Sequence, residues 1–150
     1  MDNVDLKILT CLKENSRMSA SEIGERINMS VSAIIERIKK METSGIIKQY
    51  TLMLDSKNIG KGLSAFISVS LEHPKYNEGF VASVMEHKDV AQCHYITGDF
   101  DFILKIATDT TDSLEKVLFD VKSIKGVSLT KTLVVLSTIK EEHTVLPDIF

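Results

Sequence analysis

Between Ser30 and Lys40 the chain strings together residue types that can hydrogen-bond an anion or the edge of a base: hydroxyls at Ser30 and Ser32, a small side chain at Ala33, and cations at Arg37, Lys39 and Lys40. Val31, Ile34, Ile35, Ile38 and Met41 form an apolar stripe through the same stretch, which predicts a helix opened by Ser30 and closed at Gly45. On a helical wheel Val31, Ile34, Ile38 and Met41 turn inward, Ser32, Ala33, Glu36 and Lys40 face out, and Arg37 and Lys39 lie on the flanks. Free amides at the helix start and the two hydroxyls suit phosphate or base edges, Ala33 permits close approach, and the cations add charge-assisted phosphate contacts. Glu36 is discordant, because a carboxylate repels phosphate and fits only opposite a cytosine amino group or in an intramolecular pair. Arg37 has a structural alternative, an ion pair with Glu42 or Asp55, and Lys48 and Tyr50 could reach a nucleic-acid backbone from the segment that follows.

Elsewhere the residues that do chemistry are scattered. His73, His87, His94 and His143 have no metal-ligand spacing, and no metal site is expected. Serines are plentiful without a GxSxG elbow or an SxxK pair, and Gly60-Lys61-Gly62 lacks the length and context of a phosphate loop. Cys11 and Cys93 stand alone, as core thiols rather than a disulfide or zinc framework. No catalytic constellation and no cofactor are expected.

The elements that must position these groups divide the chain of 150 residues. Val4, Ile8, Leu9 and Leu12 predict a first helix ending near Asn15-Ser16-Arg17, and Ser19 to Glu22 is a capping box opening a second that buries Ile23 and Ile27. Helix, turn and helix in these lengths describe a helix-turn-helix. Ile46 to Asp55 is β-prone and reads as a strand or wing, and Ser56 to Gly62 as a linker. From Leu63 the order becomes βαββαβ. Alternation over Leu63–Leu71, a helical stripe at Tyr76, Phe80 and Val84, strands at 90–97 and 102–108, a stripe from Leu114 to Ile124 and a last strand over 127–138 make a ferredoxin-like sandwich with one sheet face uncovered. A tight turn at Gly98-Asp99 joins the middle strands. The uncovered face is expected to carry Phe66, Cys93, Tyr95, Ile103, Ala107 and Val134 and to pair two copies. The expected fold is therefore α+β: a helix-turn-helix domain over 1–50, strand and linker over 51–62, and an αβ sandwich that pairs two copies over 63–150.

Composition agrees with a globular protein: 43% hydrophobic residues, 26% charged and no run long enough to span a bilayer. With an acidic start in place of a signal peptide, a cytoplasmic protein is expected. The net charge of −3 hides an asymmetry, +1 over residues 1–50 and −5 over residues 63–150.

The N-terminal third resembles the Lrp/AsnC family of bacterial and archaeal regulators, the feast/famine proteins. Asp2 and Asp5, Ile8-Leu9 with Leu12, Asn15-Ser16-Arg17, Glu22-Ile23-Gly24, Met29-Ser30 with Ser32, Arg37-Ile38, Met41-Glu42 and Gly45-Ile46-Ile47 carry the likeness. The C-terminal part is similar to that family's ligand-sensing sandwich through Val90, Cys93, Thr97 to Asp101, Gly126-Val127, Thr132 and Val135-Leu136. The resemblance implies a homodimer assembling to a tetramer or octamer, double-stranded operator DNA as partner, and an amino-acid effector bound between dimers beside Thr97, Gly98, Asp99, Phe100 and Asp101. Gly98 would expose backbone amides to a carboxylate, and Asp99 or Asp101 would pair with an ammonium. Two other functions share the domain pair: an effector-independent architectural DNA-binding protein, and a sirohaem-decarboxylase-like enzyme, which the acidic C-terminal part disfavours.

Overall fold

The computed structural model describes residues 1–148, which fall into two compact units. The first runs from Met1 to Met53 and includes the described residues from Lys140 on; the second is Leu54–Ile139.

Three helices build the first unit: α1 (Asn3–Glu14), α2 (Ala20–Ile27) and α3 (Val31–Thr43). Each begins at a side-chain cap. Asp2 and Asp5 close a reciprocal box at α1, Ser19 and Glu22 do so at α2, and Ser30 accepts from the Ala33 amide at α3. These caps satisfy amides that have no partner inside the helix and so fix where each helix starts. Ile8, Cys11, Ile23, Ile34 and Met41 are buried together as the core of the unit.

The turn between α2 and α3 is set by two residues. Asn28 takes a left-handed conformation at φ 57°, and the Met29 amide donates back to the Gly24 carbonyl at 2.9 Å. Gly24 must be a glycine, since a Cβ there would stand 2.6 Å from the Met29 carbonyl oxygen.

Residues 46–55, expected as a strand or wing, form no strand among the described residues. Their apolar side chains supply β propensity, but a strand exists only with a neighbour to complete its ladder. Leu52, Met53 and Leu54 are left exposed.

The second unit is a four-stranded antiparallel sheet ordered β2-β3-β1-β4, from β1 (Leu63–Leu71), β2 (Val90–Tyr95), β3 (Phe102–Thr108) and β4 (Val127–Val134). With α4 (Asn77–Met85) and α5 (Thr111–Lys122) the chain order is βαββαβ, as the sequence predicts. Ala65, Ile67, Val69, Phe102, Leu104 and Ile106 pack against Phe80 and Val84 of α4 and Leu114, Val117 and Val121 of α5 in one core. Both outer strands are shorter than expected: β2 stops at Tyr95 rather than Thr97, and β4 at Val134 rather than Thr138.

The uncovered sheet face differs from the expected one. Phe66, Ile103 and Ala107 lie on it, alternating with buried neighbours. Cys93 and Tyr95 do not, because Val90 pairs with Ile106 and Gln92 with Lys105, so Ala91 is an extra residue that reverses the alternation of β2. Cys93 therefore sits opposite Leu104 and packs on the core, where burial pushes its thiol pKa up, and Tyr95 sits opposite Phe102, with ring centroids 5.1 Å apart. Val134 faces the helix side opposite Ala65, while Leu129 and Leu133 take the open face opposite Ser70 and Phe66.

Candidate nucleic-acid interface

α3 divides its residues cleanly between core and solvent. Ile34 and Met41 are buried and Ile38 packs beside them, whereas Ser32, Glu36, Lys39 and Lys40 are exposed. Ala33 and Arg37 are half-buried. Val31, which the helical wheel turns inward, is 44% exposed, and Ile35 of the same apolar stripe is 54% exposed. The reason is geometric: a stripe spanning 31, 34, 35, 38 and 41 is wider than the contact that α1 and α2 offer, so its outer edge stays wet.

The Ser30 and Ser32 hydroxyls lie 3.3 Å apart at the start of α3. Ser30 accepts from the Ala33 amide, and the exposed Ser32 stands beside it at the positive end of the helix dipole. Glu36, Lys39 and Lys40 make no ion pair among the described residues. Two lysines uncommitted within the fold, on the face that carries Ser32, give that face the positive charge that attracts an anion.

Arg37 is differently placed. Its guanidinium donates to Asp2 at 2.8 Å and to Asp5 at 2.7 Å, joining α3 to the capping box of α1. The expected partners Glu42 and Asp55 are not the ones used; Glu42 accepts from the Tyr50 hydroxyl at 2.9 Å. Asp2 is held below the ordinary carboxylate range, first by the Asp5 amide and then by Arg37, and Arg37 is raised by the two carboxylates. Sequence reasoning missed this clamp, although two aspartates spaced as an N-cap and its third residue carry its signal.

In the second unit, residues 96–101 join β2 to β3 by a wider loop than the two-residue turn expected at Gly98-Asp99. The Ile96 amide donates to the Asp101 carbonyl at 2.8 Å. Gly98 has φ +106°, which favours glycine, and open space around the position of a Cβ. Thr97, Gly98 and Asp99 are exposed and Phe100 is half-buried. The Asp101 carboxylate is engaged, accepting from the Leu71 amide at 2.8 Å, while its own amide donates to Val69. Of the two carboxylates offered to an ammonium, Asp99 is therefore the one whose side chain is uncommitted. No group of His, Cys, Asp and Glu among the described residues could hold a metal ion, and no helix there is long and apolar enough to cross a membrane.

A three-helix unit presenting α3, followed by an αβ sandwich, defines a helix-turn-helix regulator with a separate ligand domain, and comparison with known proteins places it further. Residues 1–48 match the model for winged helix-turn-helix DNA-binding domains, and residues 64–145 the model for the Lrp/AsnC ligand-binding domain. The chain belongs to the Lrp/AsnC family. It is 34% identical over 94% of its length to the HTH-type transcriptional regulator FL11 of Pyrococcus horikoshii, of which 93% is covered. It is 30% identical to the leucine-responsive regulatory protein of Salmonella typhimurium, over 95% of this chain and 89% of the other. Among solved structures, the transcriptional regulator NMB0573 of Neisseria meningitidis in complex with L-Met aligns with a TM-score of 0.93 at 32% identity, covering 97% of this chain and 96% of that one. AsnC of Escherichia coli aligns with a TM-score of 0.91 at 28% identity, covering 98% and 99%. The chain is thus a DNA-binding transcriptional regulator with a ligand-binding domain.

Proposed function

We propose that this protein is a cytoplasmic, oligomeric, sequence-specific regulator that reads operator DNA through residues 1–50 and responds to an amino acid bound between dimers through residues 63–150, with 51–62 as the connection. The observation that carries the DNA half is the outer face of α3, where Ser32, Lys39 and Lys40 are exposed and the two lysines unpaired within the fold. Ser30, Ser32, Ala33, Glu36, Lys39 and Lys40 make the contacts, and Arg37 supports them by holding α3 against α1. Dimers form through the open sheet face, which carries Phe66, Ile103, Ala107, Leu129 and Leu133 as apolar groups. Further assembly gives tetramers or octamers.

The effector is an amino acid whose carboxylate meets amides freed by Gly98 and whose ammonium meets Asp99, with Thr97, Phe100 and Asp101 framing the loop. The L-Met bound to the Neisseria relative supports this class of ligand. The effector acts by binding one assembly more tightly than another, which changes the operator half-sites engaged together. No catalytic step is part of this function.

Fluorescence anisotropy of the full-length protein on a labelled fragment from upstream of its own gene tests the reading, against excess random DNA, at two salt concentrations, with and without pooled amino acids. Competitor-resistant, salt-sensitive binding that Lys40→Ala weakens and amino acids shift is the expected result. Binding that random DNA removes completely would overturn the operator-reading function, and identical curves with every amino acid would overturn the effector.

A further inference from the structure

Two branched apolar side chains occupy the face of α3 that the fold leaves open. Val31 and Ile35 are one turn apart, 44% and 54% exposed, while Ile34 and Met41 of the same helix fill the core. Solitary exposed apolar residues are ordinary on any surface. These two form a pair at helical spacing, set among Ser32, Glu36 and Lys39, which are themselves exposed. The core does not need them, and a charged outer face gains nothing from them in water.

The apolar group that a duplex offers in its major groove is the C5-methyl of thymine. Side chains four residues apart on a helix are separated by roughly 6 Å along the axis, close to two base steps of roughly 3.4 Å each. The flanking cations, Lys39 and Lys40, complement phosphates on either side of such a groove.

We propose that Ile35, with Val31 one turn before it, reads thymine methyl groups and is the residue that fixes base preference at the centre of each half-site. This rests on α3 entering the major groove, as argued above. The Ile35 side chain packs on the methyl and excludes water from it, and Glu36, next in sequence, accepts from the exocyclic amino group of a neighbouring cytosine or adenine. The lysines hold the helix in register without regard to sequence.

The test separates the methyl contact from DNA binding as such. Duplexes are selected from a random pool with the full-length protein, and each thymine of the selected site is replaced in turn by deoxyuridine, which removes only the methyl. For the wild-type protein, replacement at one or two positions should weaken binding by about three- to tenfold, the worth of one buried methyl contact. For Ile35→Ala, thymine and uracil should bind alike at the position nearest Ile35, while the salt dependence and the melting temperature stay as in the parent. Lys39→Ala is the contrast, lowering affinity for thymine and uracil duplexes equally and reducing the salt slope by about 1. Wild-type affinity indifferent to every methyl would overturn the proposal with DNA binding intact. So would Ile35→Ala retaining the full penalty, or acting only through a change in oligomeric state. Selection that enriches no duplex over random DNA would overturn the groove reading and this proposal together.

Discussion

The Arg37 guanidinium lies 2.7 Å from the Asp5 carboxylate, so the third helix is tied to the first turn of the first helix. Asp5 is also the residue whose side chain accepts from the Asp2 amide, and one cation therefore braces a capping box and a helix packing at once. This changes what substitution of Arg37 should report. An arginine on phosphate contributes to the salt dependence of DNA binding, whereas one held inside its own domain contributes to that domain's stability. Arg37→Ala should lower the melting temperature of the helical N-terminal unit and leave the slope of log K against log salt unchanged, while Lys40→Ala should reduce that slope by about 1 with melting unaffected. Paired melting and salt-titration measurements check both; an Arg37→Ala slope reduced like that of Lys40→Ala would assign the residue to DNA.

The same clamp sets a pH dependence. Asp2 is lowered by the Asp5 amide and by Arg37, and Glu22 by the Ser19 hydroxyl and amide. For a carboxyl whose folded pKa lies below its unfolded one, the stabilisation is fully present above the unfolded value and is lost as pH falls through the folded one. The helical N-terminal unit should therefore melt at a constant temperature from pH 7 down to about 5 as far as these groups are concerned, then lose stability as the pH falls below the ordinary carboxylate range. Asp2→Asn should flatten part of that acid slope. Melting followed by circular dichroism across pH 3 to 7 distinguishes the two curves, and superimposable curves would remove Asp2 from the account.

The helices, the caps at Ser19 and Ser30 and the βαββαβ order are legible in the sequence because each depends on local spacing: i, i+3, i+4 stripes, capping residues and alternation. The failures lie where a distant partner decides. Ala91 is extra in β2 only relative to β3, so nothing inside Val90–Tyr95 announces that Cys93 and Tyr95 turn to the helix side of the sheet. Residues 46–55 have strand-forming side chains without a neighbouring strand. The sequence leaves Arg37 between DNA contact and an ion pair, and its partners Asp2 and Asp5 lie more than thirty positions away, out of reach of any local pattern. Similarly, an aspartate at the end of a predicted turn reads as exposed, and only the approach of Leu71 gives the Asp101 carboxylate a structural task.

Gly24 is where the turn of the helix-turn-helix is most sensitive. A Cβ at this position meets the Met29 carbonyl oxygen at 2.6 Å, a backbone atom that cannot rotate away. Gly24→Ala should separate α2 from the start of α3, destabilising the unit by about 1–3 kcal/mol as overpacking typically does. DNA affinity should fall with it, because Ser30 and the first amides of α3 follow Met29. Ser21→Ala on the exposed side of α2 is the matched control. Chemical denaturation of the two variants side by side gives the answer, and equal midpoints would mean that the turn yields without cost.

The loop from Ile96 to Asp101 allows the effector reading to be divided between its two carboxylates. Asp101 accepts from the Leu71 amide, so its replacement by alanine leaves a backbone donor without its partner and should cost about 1–3 kcal/mol of stability in the absence of any ligand. Asp99 has an exposed, uncommitted carboxylate, so Asp99→Ala should leave the ligand-free protein as stable as its parent and act only when effector is present. A ligand at a hundred times its dissociation constant raises stability by about 2.7 kcal/mol. Melting temperatures of wild type, Asp99→Ala and Asp101→Ala with and without each amino acid resolve the roles. The expected pattern is a ligand-induced rise in the wild type, its loss in Asp99→Ala from an unchanged baseline, and a lowered baseline in Asp101→Ala that retains part of the rise. A full rise in Asp99→Ala would take the ammonium contact away from this loop, since no other uncommitted carboxylate lies between Thr97 and Asp101.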